Sequence, residues 1–197
     1  MDQLLLNHLR GHQAMIDALP SLLPRMAQAA RMAADSLARG GKLLLCGNGG
    51  SAADCQHIAA ELVGRLARER RALPALALTT DTSALTAIAN DYGYDQVFRR
   101  QLQALARGGD CLIAISTSGQ SANVVAAVHE ARHLGLRSIG LLGRDGGVLA
   151  GLCDCPIVVP SDITAHVQEA HILLGHVLCA GIERMALAPQ CLPEGLQ

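Results

Sequence analysis

The sequence predicts an α/β fold, an open, doubly wound sheet of five parallel strands preceded by two helices. Two observations carry this. Five short apolar runs lack the alternation of a half-exposed strand, as strands covered on both faces do. Segments with helical spacing separate them through short links, the pattern of right-handed crossovers between parallel strands.

Taken in order, residues 2–39 carry apolar positions at helical spacing, broken at Pro20 and ended by Gly40-Gly41, and predict two helices. Strands are expected at 42–46 (Lys-Leu-Leu-Leu-Cys), 75–79, 111–115, 138–142 and 156–159, with helices over 52–69, 83–90, 94–106, 121–134 and 163–187. No linker divides the chain. With 197 residues, half of them apolar, it suffices for one core. Residues 40–188 therefore read as one domain, 1–39 as a helical extension, and 189–197, with Pro189, Pro193 and Gly195, as a loose tail.

Composition removes several function classes. The net charge of −1 supplies no basic field for phosphate backbones, so nucleic acid is not the expected partner. Tyr92, Tyr94 and Phe98 are the only aromatics, too few for base-stacking platforms or cation cages. Lys42 is the only lysine and opens a buried strand, which argues against Schiff-base chemistry. Seven scattered cysteines and the absence of an apolar leader predict a reducing cytoplasm. Cys153 and Cys155 are expected on one face of a strand entry without further ligands nearby, and no apolar run reaches the ~20 residues of a membrane span.

In the strand order 2-1-3-4-5, the loops leaving the first and third strands lie side by side at the switch point where such sheets bind ligands. The first is Gly47-Asn48-Gly49-Gly50-Ser51-Ala52-Ala53-Asp54. Its glycines permit close approach of a ligand to a helix start. It also fits a loose dinucleotide fingerprint, but the acid expected about 20 residues on is missing, and the candidate Asp81 lies too far along. The second, Ser116-Thr117-Ser118-Gly119-Gln120-Ser121, places four hydroxyls around one glycine at a helix start. Ser118 or Ser121 alone would read as a helix cap. Four together predict a neutral cradle for a phosphate ester.

Two helices carry further chemistry. His57 and Glu61 are spaced i, i+4 and share a face of the helix after the first loop. The last helix adds Gln168, Glu169, His171 and His176 to an otherwise apolar segment. From spacing alone Gln168 pairs more easily with His171, because Gln168 and His176 are about 12 Å apart along the axis and roughly 80° apart around it. His8, His12, His129, His133 and His166 read as solvated or capping residues.

Together, Cys46-Gly47-Asn48-Gly49-Gly50-Ser51, His57-x-x-x-Glu61-x-x-x-Arg65, Ala89-Asn90-Asp91-Tyr92-Gly93, Ser116-Thr117-Ser118-Gly119-x-Ser121-x-Asn123 and Gln168-Glu169-x-His171-x-x-x-x-His176 resemble the sugar isomerase (SIS) domain of bacterial phosphoheptose isomerases. The likeness runs from about residue 40 to 185. It implies a flavodoxin-like SIS fold and the isomerisation of sedoheptulose 7-phosphate to D-glycero-D-manno-heptose 7-phosphate, the entry to ADP-heptose for lipopolysaccharide core. By the same resemblance His57, Glu61, Gln168 and His176 bind Zn²⁺, one ion per subunit, and Glu61 and His176 are the acid–base pair. Asn48, Gly49, Gly50, Ser51, Glu61, Arg65, Asn90, Asp91, Ser116, Thr117, Ser118, Ser121 and Gln168 contact substrate. The family implies a cytoplasmic homotetramer with sites at subunit interfaces, without nucleic-acid or membrane partners, and gives residues 1–39 a role in subunit packing.

These residue types suit a ketose–aldose shift, in which a carboxylate moves a proton between neighbouring carbons and an acid or metal stabilises the enediol oxygen. The chain departs from the family pattern at His166, where an arginine or lysine is usual. Tyr92, Tyr94 and Phe98, clustered beside Asn90-Asp91, are expected to shape the site wall. The alternative function is a non-catalytic SIS protein that binds the DnaA replication initiator; Glu61 and His176, eroded in such relatives, favour the enzyme.

Overall fold

Strand β1 (Leu43–Gly47) sits second in a sheet ordered β2-β1-β3-β4-β5, all parallel, with β2 at Ala75–Ala77, β3 at Cys111–Ser116, β4 at Arg137–Gly143 and β5 at Cys155–Val159. The computed structural model describes residues 1–186; the expected tail lies outside the described residues. β1 and β3 are buried along their whole length, which is why their sequences do not alternate.

Successive side chains of a strand point to opposite faces, and the core divides accordingly. Leu43, Leu45, Ile113, Ile115, Leu141 and Ile157 pack with α2 (Leu23–Ala38), α3 (Gly50–Val63) and α8 (Thr164–Ala186). Leu44, Cys46, Leu112, Ala114 and Leu142 pack with α5 (Val97–Leu105), α6 (Ala122–His133) and the short α7 (Gly147–Leu152), flanked by α4 (Thr82–Tyr92). Helix α1 (Asp2–Ala18) runs into α2 through one 3-10 turn at Leu19–Leu22, so Pro20 falls in that turn, where its missing N–H costs nothing.

Three details differ from expectation. Helix α3 stops at Val63 instead of continuing to 69, because Gly64 ends it and Arg70 donates to the carbonyls of Glu61, Leu62 and Gly64. Helix α7 was not expected: six residues flanked by glycines are too short for a periodic signal, and the turn depends on Gly146 and Gly147 at φ 82° and 51°. Cys153 and Cys155 belong to the two opposite cores instead of sharing a face. The six described cysteines are buried and free, and burial pushes the Cys111 thiol up to about 12, which keeps it unreactive.

Lys42 pairs with the buried Asp110 at 2.6 Å, and the same carboxylate accepts from the Lys42 and Arg107 amides. This lysine closes the amino end of β1, opposite the loops that leave β1 and β3. Among the described residues no helix is long and apolar enough to cross a membrane.

Candidate active site

The loops after β1 and β3 are joined directly. Asn48 and Asn123 exchange two side-chain hydrogen bonds, each 2.8 Å, between the end of β1 and the first turn of α6. Parallel pairing of Gly47 with Ile115 makes this possible by ending the two strands level. Gly49 adopts φ 56° at the amino end of α3, and no side chain caps that end. The first amides of α3 thus remain available to an anion.

In the second loop the simple capping reading fails. Ser121 occupies the N-cap position of α6, but its hydroxyl makes no cap bond and lies 3.1 Å from that of Ser116. Ser116 also accepts from the Gly119 amide, and Ser118 from the Gln120 amide. Gly119, at φ 64°, packs directly against the Gly146 backbone, where a side chain has no room. The hydroxyls of Ser116, Ser118 and Ser121 are therefore organised around a bare helix start, with Thr117 half-buried beside them.

On the other side of the sheet's mouth, α3 and α8 face one another. His57 Nε2 lies 2.9 Å from His176 Nε2 and 3.4 Å from Glu61 Oε1, and the two rings meet edge to face. One ligand atom from each of His57, Glu61 and His176 lies within 4.8 Å of the others. Two imidazole nitrogens and a carboxylate oxygen converging in this way match the donor set of a divalent transition metal, which would replace the single proton that two facing Nε2 atoms can share. The close packing behind them depends on Gly175, whose missing Cβ would stand 2.8 Å from Ile58.

Gln168 stands apart from this ring of three. Its carboxamide lies over Gly50, 2.5 Å from where a Cβ would be, about 10 Å along α3 from His57. It thus reaches the first loop. His171, the easier partner for Gln168 on spacing, is directed elsewhere. It is fully buried without a well-formed hydrogen bond, and burial lowers its pKa to about 4, with the Leu142 backbone opposing. It is a neutral core residue.

Asn90 and Asp91 are exposed at the end of α4 and hydrogen-bonded to each other at 2.8 Å. Arg65 lies beyond the end of α3 and pairs with Glu69 at 3.8 Å on the surface. Ser51 is buried in the first turn of α3. Of the aromatics, Tyr94 directs its hydroxyl to Asn48 Oδ1 at 3.3 Å. Tyr92 is covered by Arg100 at 4.4 Å, and Phe98 is a core residue, so the expected wall reduces to Tyr94. Asp81 caps α4 through the Ala84 amide, which uses the acid weighed for a ribose.

Two residues near the cluster escaped sequence reasoning. Asp54, the last residue of the first motif, lies in α3 one turn before His57; its Oδ2 is buried without a partner, and burial raises its pKa while His57 opposes this. Its position at the end of Gly-Asn-Gly-Gly-Ser-Ala-Ala-Asp was the available signal. Arg70 sits in an irregular stretch and left no local signal, yet its Nη2 donates to the Glu61 carbonyl at 2.8 Å.

A five-stranded parallel sheet with hydroxyl and glycine loops at its switch point, beside a histidine–glutamate cluster, defines the class of sugar-phosphate isomerases on the SIS fold. Comparison with known proteins agrees. The SIS domain family profile matches residues 10–143. A phosphoheptose isomerase of Geotalea daltonii is 54% identical over 179 residues, 90% of this chain and 93% of that protein. One of a Nitratiruptor species is 63% identical over 142 residues, 72% of this chain and 76% of its own length. The solved phosphoheptose isomerase of Neisseria gonorrhoeae superposes with a TM-score of 0.83 at 47% identity, covering 93% of this chain and 96% of that one. The chain belongs to the SIS-domain phosphoheptose isomerase family, whose members are aldose–ketose isomerases.

Proposed function

We propose that the protein converts sedoheptulose 7-phosphate to D-glycero-D-manno-heptose 7-phosphate through an enediol, the first step towards ADP-heptose for lipopolysaccharide core. The observation that carries this reading is the convergence of Glu61, His57 and His176 beside two loops suited to a phosphorylated polyol. The names of the relatives supply the heptose.

In this reading the phosphate rests on Ser116, Thr117, Ser118 and Ser121 and on the open amides at the start of α6. Hydroxyl and amide donors hold a phosphate without a fixed cation. Asn48, Gly49, Gly50, Ser51, Asn90, Asp91 and Gln168 orient the sugar hydroxyls, and Arg65 joins them from the segment after α3. Glu61 takes the proton from C1 of the ketose and returns it to C2, while His176 gives a proton to the C2 oxygen and regains one from the C1 hydroxyl, which becomes the aldehyde carbonyl. His57, Glu61 and His176 would hold a Zn²⁺; the family resemblance makes Gln168 the fourth ligand, although its carboxamide here lies over Gly50. When bound, that ion supplies Lewis-acid polarisation of the substrate oxygens.

The His57 side chain is 47% exposed and Glu61 23%. An enediol needs protection from water, so a neighbouring subunit completes the site. Leu4, Leu5, Leu6 and Leu9 of α1 are exposed and suited to subunit packing, which supports residues 1–39 as the assembly element of a homotetramer and 40–188 as the isomerase domain. The phosphorylated substrate and the free thiols of the six described cysteines support a cytoplasmic location.

The test is a direct assay of purified protein against sedoheptulose 7-phosphate and a panel of other ketose phosphates. Turnover of the heptulose above the panel is expected. Preference for a pentulose or hexulose phosphate overturns the substrate, and absence of turnover with all of them overturns the enzyme reading in favour of a non-catalytic binder.

A further inference from the structure

His8 and His12, one turn apart on α1, converge on Glu169 of α8. His8 Nε2 lies 2.8 Å from Glu169 Oε1, and His12 Nδ1 lies 2.7 Å from Oε2. His166, expected on the surface, is buried instead, and its ring meets that of His8 edge to face at 4.6 Å between centroids. One ligand atom from each of His8, His166 and Glu169 lies within 4.8 Å of the others. His166 Nε2 is shut from solvent and has no hydrogen-bond partner.

We propose that His8, His166 and Glu169 form a second binding site for a divalent transition metal, zinc first, which clasps α1 to α8. Buried ring nitrogens are normally paired, and an orphan one beside a histidine and a carboxylate is what a metal ligand looks like without its ion. Two imidazoles and a carboxylate leave a fourth position for water. With bonds of about 2.0–2.1 Å, the ligand atoms of a tetrahedral ion lie about 3.3 Å apart, a spacing the three side chains reach from their present separations of at most 4.8 Å by adjusting their rotamers. His12 completes the arrangement by donating from Nδ1 to the second carboxylate oxygen, the outer hydrogen bond that orients a ligating carboxylate.

Gly11 supports the same conclusion. A Cβ there would collide with the His166 ring. Glycine is a poor choice inside a helix, and here it gives His166 room beside α1. The ordinary reading, two surface hydrogen bonds between helices, accounts for His8, His12 and Glu169 but leaves His166 Nε2 unpaired. The proposed site shares no residue with the His57, Glu61 and His176 cluster, so each can fail alone.

The test uses the full-length, tag-free protein, stripped with chelator and titrated with Zn²⁺ by calorimetry and metal analysis, with Co²⁺ as a spectroscopic probe. The variant with His57→Ala and His176→Ala isolates the new site. It is expected to retain one equivalent of Zn²⁺, to show the visible bands of tetrahedral Co²⁺, and to melt at a higher temperature with Zn²⁺ than without. Adding His8→Ala, which removes the ligand atom at an exposed position, should abolish all three, and Gly11→Ala should weaken binding at least tenfold by displacing His166. The converse variant, His8→Ala alone, reports the active-site metal separately. No Zn²⁺ binding by the His57→Ala, His176→Ala variant, or binding unchanged by His8→Ala, overturns the proposal.

Discussion

Arg70 and Glu183 form a buried ion pair, Nε to Oε1 at 2.8 Å, that fastens the segment after α3 to α8. Burial works to raise the Glu183 pKa, but the Leu66 amide and the Arg70 guanidinium outweigh it and hold the carboxyl below its usual value. Because Arg70 also donates to the Glu61 carbonyl, the pair spans the two helices that carry the candidate acid and base.

Removing one partner leaves a buried charge uncompensated, at a cost of about 3–5 kcal/mol. Arg70→Met is therefore expected to lower the denaturation midpoint sharply and to reduce kcat by loosening the end of α3. Arg70→Met with Glu183→Met should recover part of the stability but not the kcat, because the Glu61 carbonyl still lacks its donor. Urea unfolding and steady-state kinetics on both variants measure this; full recovery of kcat would remove the positioning role.

Glu61→Gln keeps the shape of the side chain but not its basicity. Isomerisation is expected to fall by about 10²–10⁴ or more, with the circular dichroism spectrum and oligomeric state unchanged. Retained turnover would eliminate Glu61 as the base.

Metal removal should inactivate the enzyme. Chelator-stripped protein is expected to lose activity and regain it with Zn²⁺, and His57→Ala should bind less zinc at the catalytic cluster. An active preparation free of metal would contradict the assignment of His57, Glu61 and His176 as ligands.

Stability should depend on His171. Its imidazole titrates near 6.5 ordinarily but only at about 4 in the fold, because burial penalises the charged ring. Between those values the unfolded chain binds more protons, so stability rises with pH there. The contribution is fully present above about pH 6.5 and is lost as pH falls toward 4, on the order of 3 kcal/mol. Denaturant midpoints measured from pH 7 to 4.5 should fall less steeply for His171→Leu than for the parent.

Tyr94 and Tyr92 should separate. Tyr94→Phe removes a donor to Asn48 and is expected to raise KM a few-fold, whereas Tyr92→Ala, stacked under Arg100, should leave KM unchanged. Equal effects in steady-state assays would restore the wider aromatic wall.

The sheet and its two loops were legible because their causes are local. Unalternated apolar runs mark strands buried on both faces, and glycines and hydroxyls at strand ends mark places where the backbone turns and opens. The i, i+4 spacing of His57 and Glu61 likewise fixed one face of a helix. Partners on separate helices depend on how those helices dock, which no local pattern records. The structure alone set His176 against His57, turned His171 into the core, drew Gln168 over Gly50 and buried His166 beside His8. Arg70 shows the limit most clearly: it stands in an irregular stretch with no periodic signal, and only packing against α8 joins it to Glu183 and the end of α3. Sequence determined which groups line each element, and tertiary packing decided which of them meet, because side-chain chemistry travels with the chain while distance is set by the core.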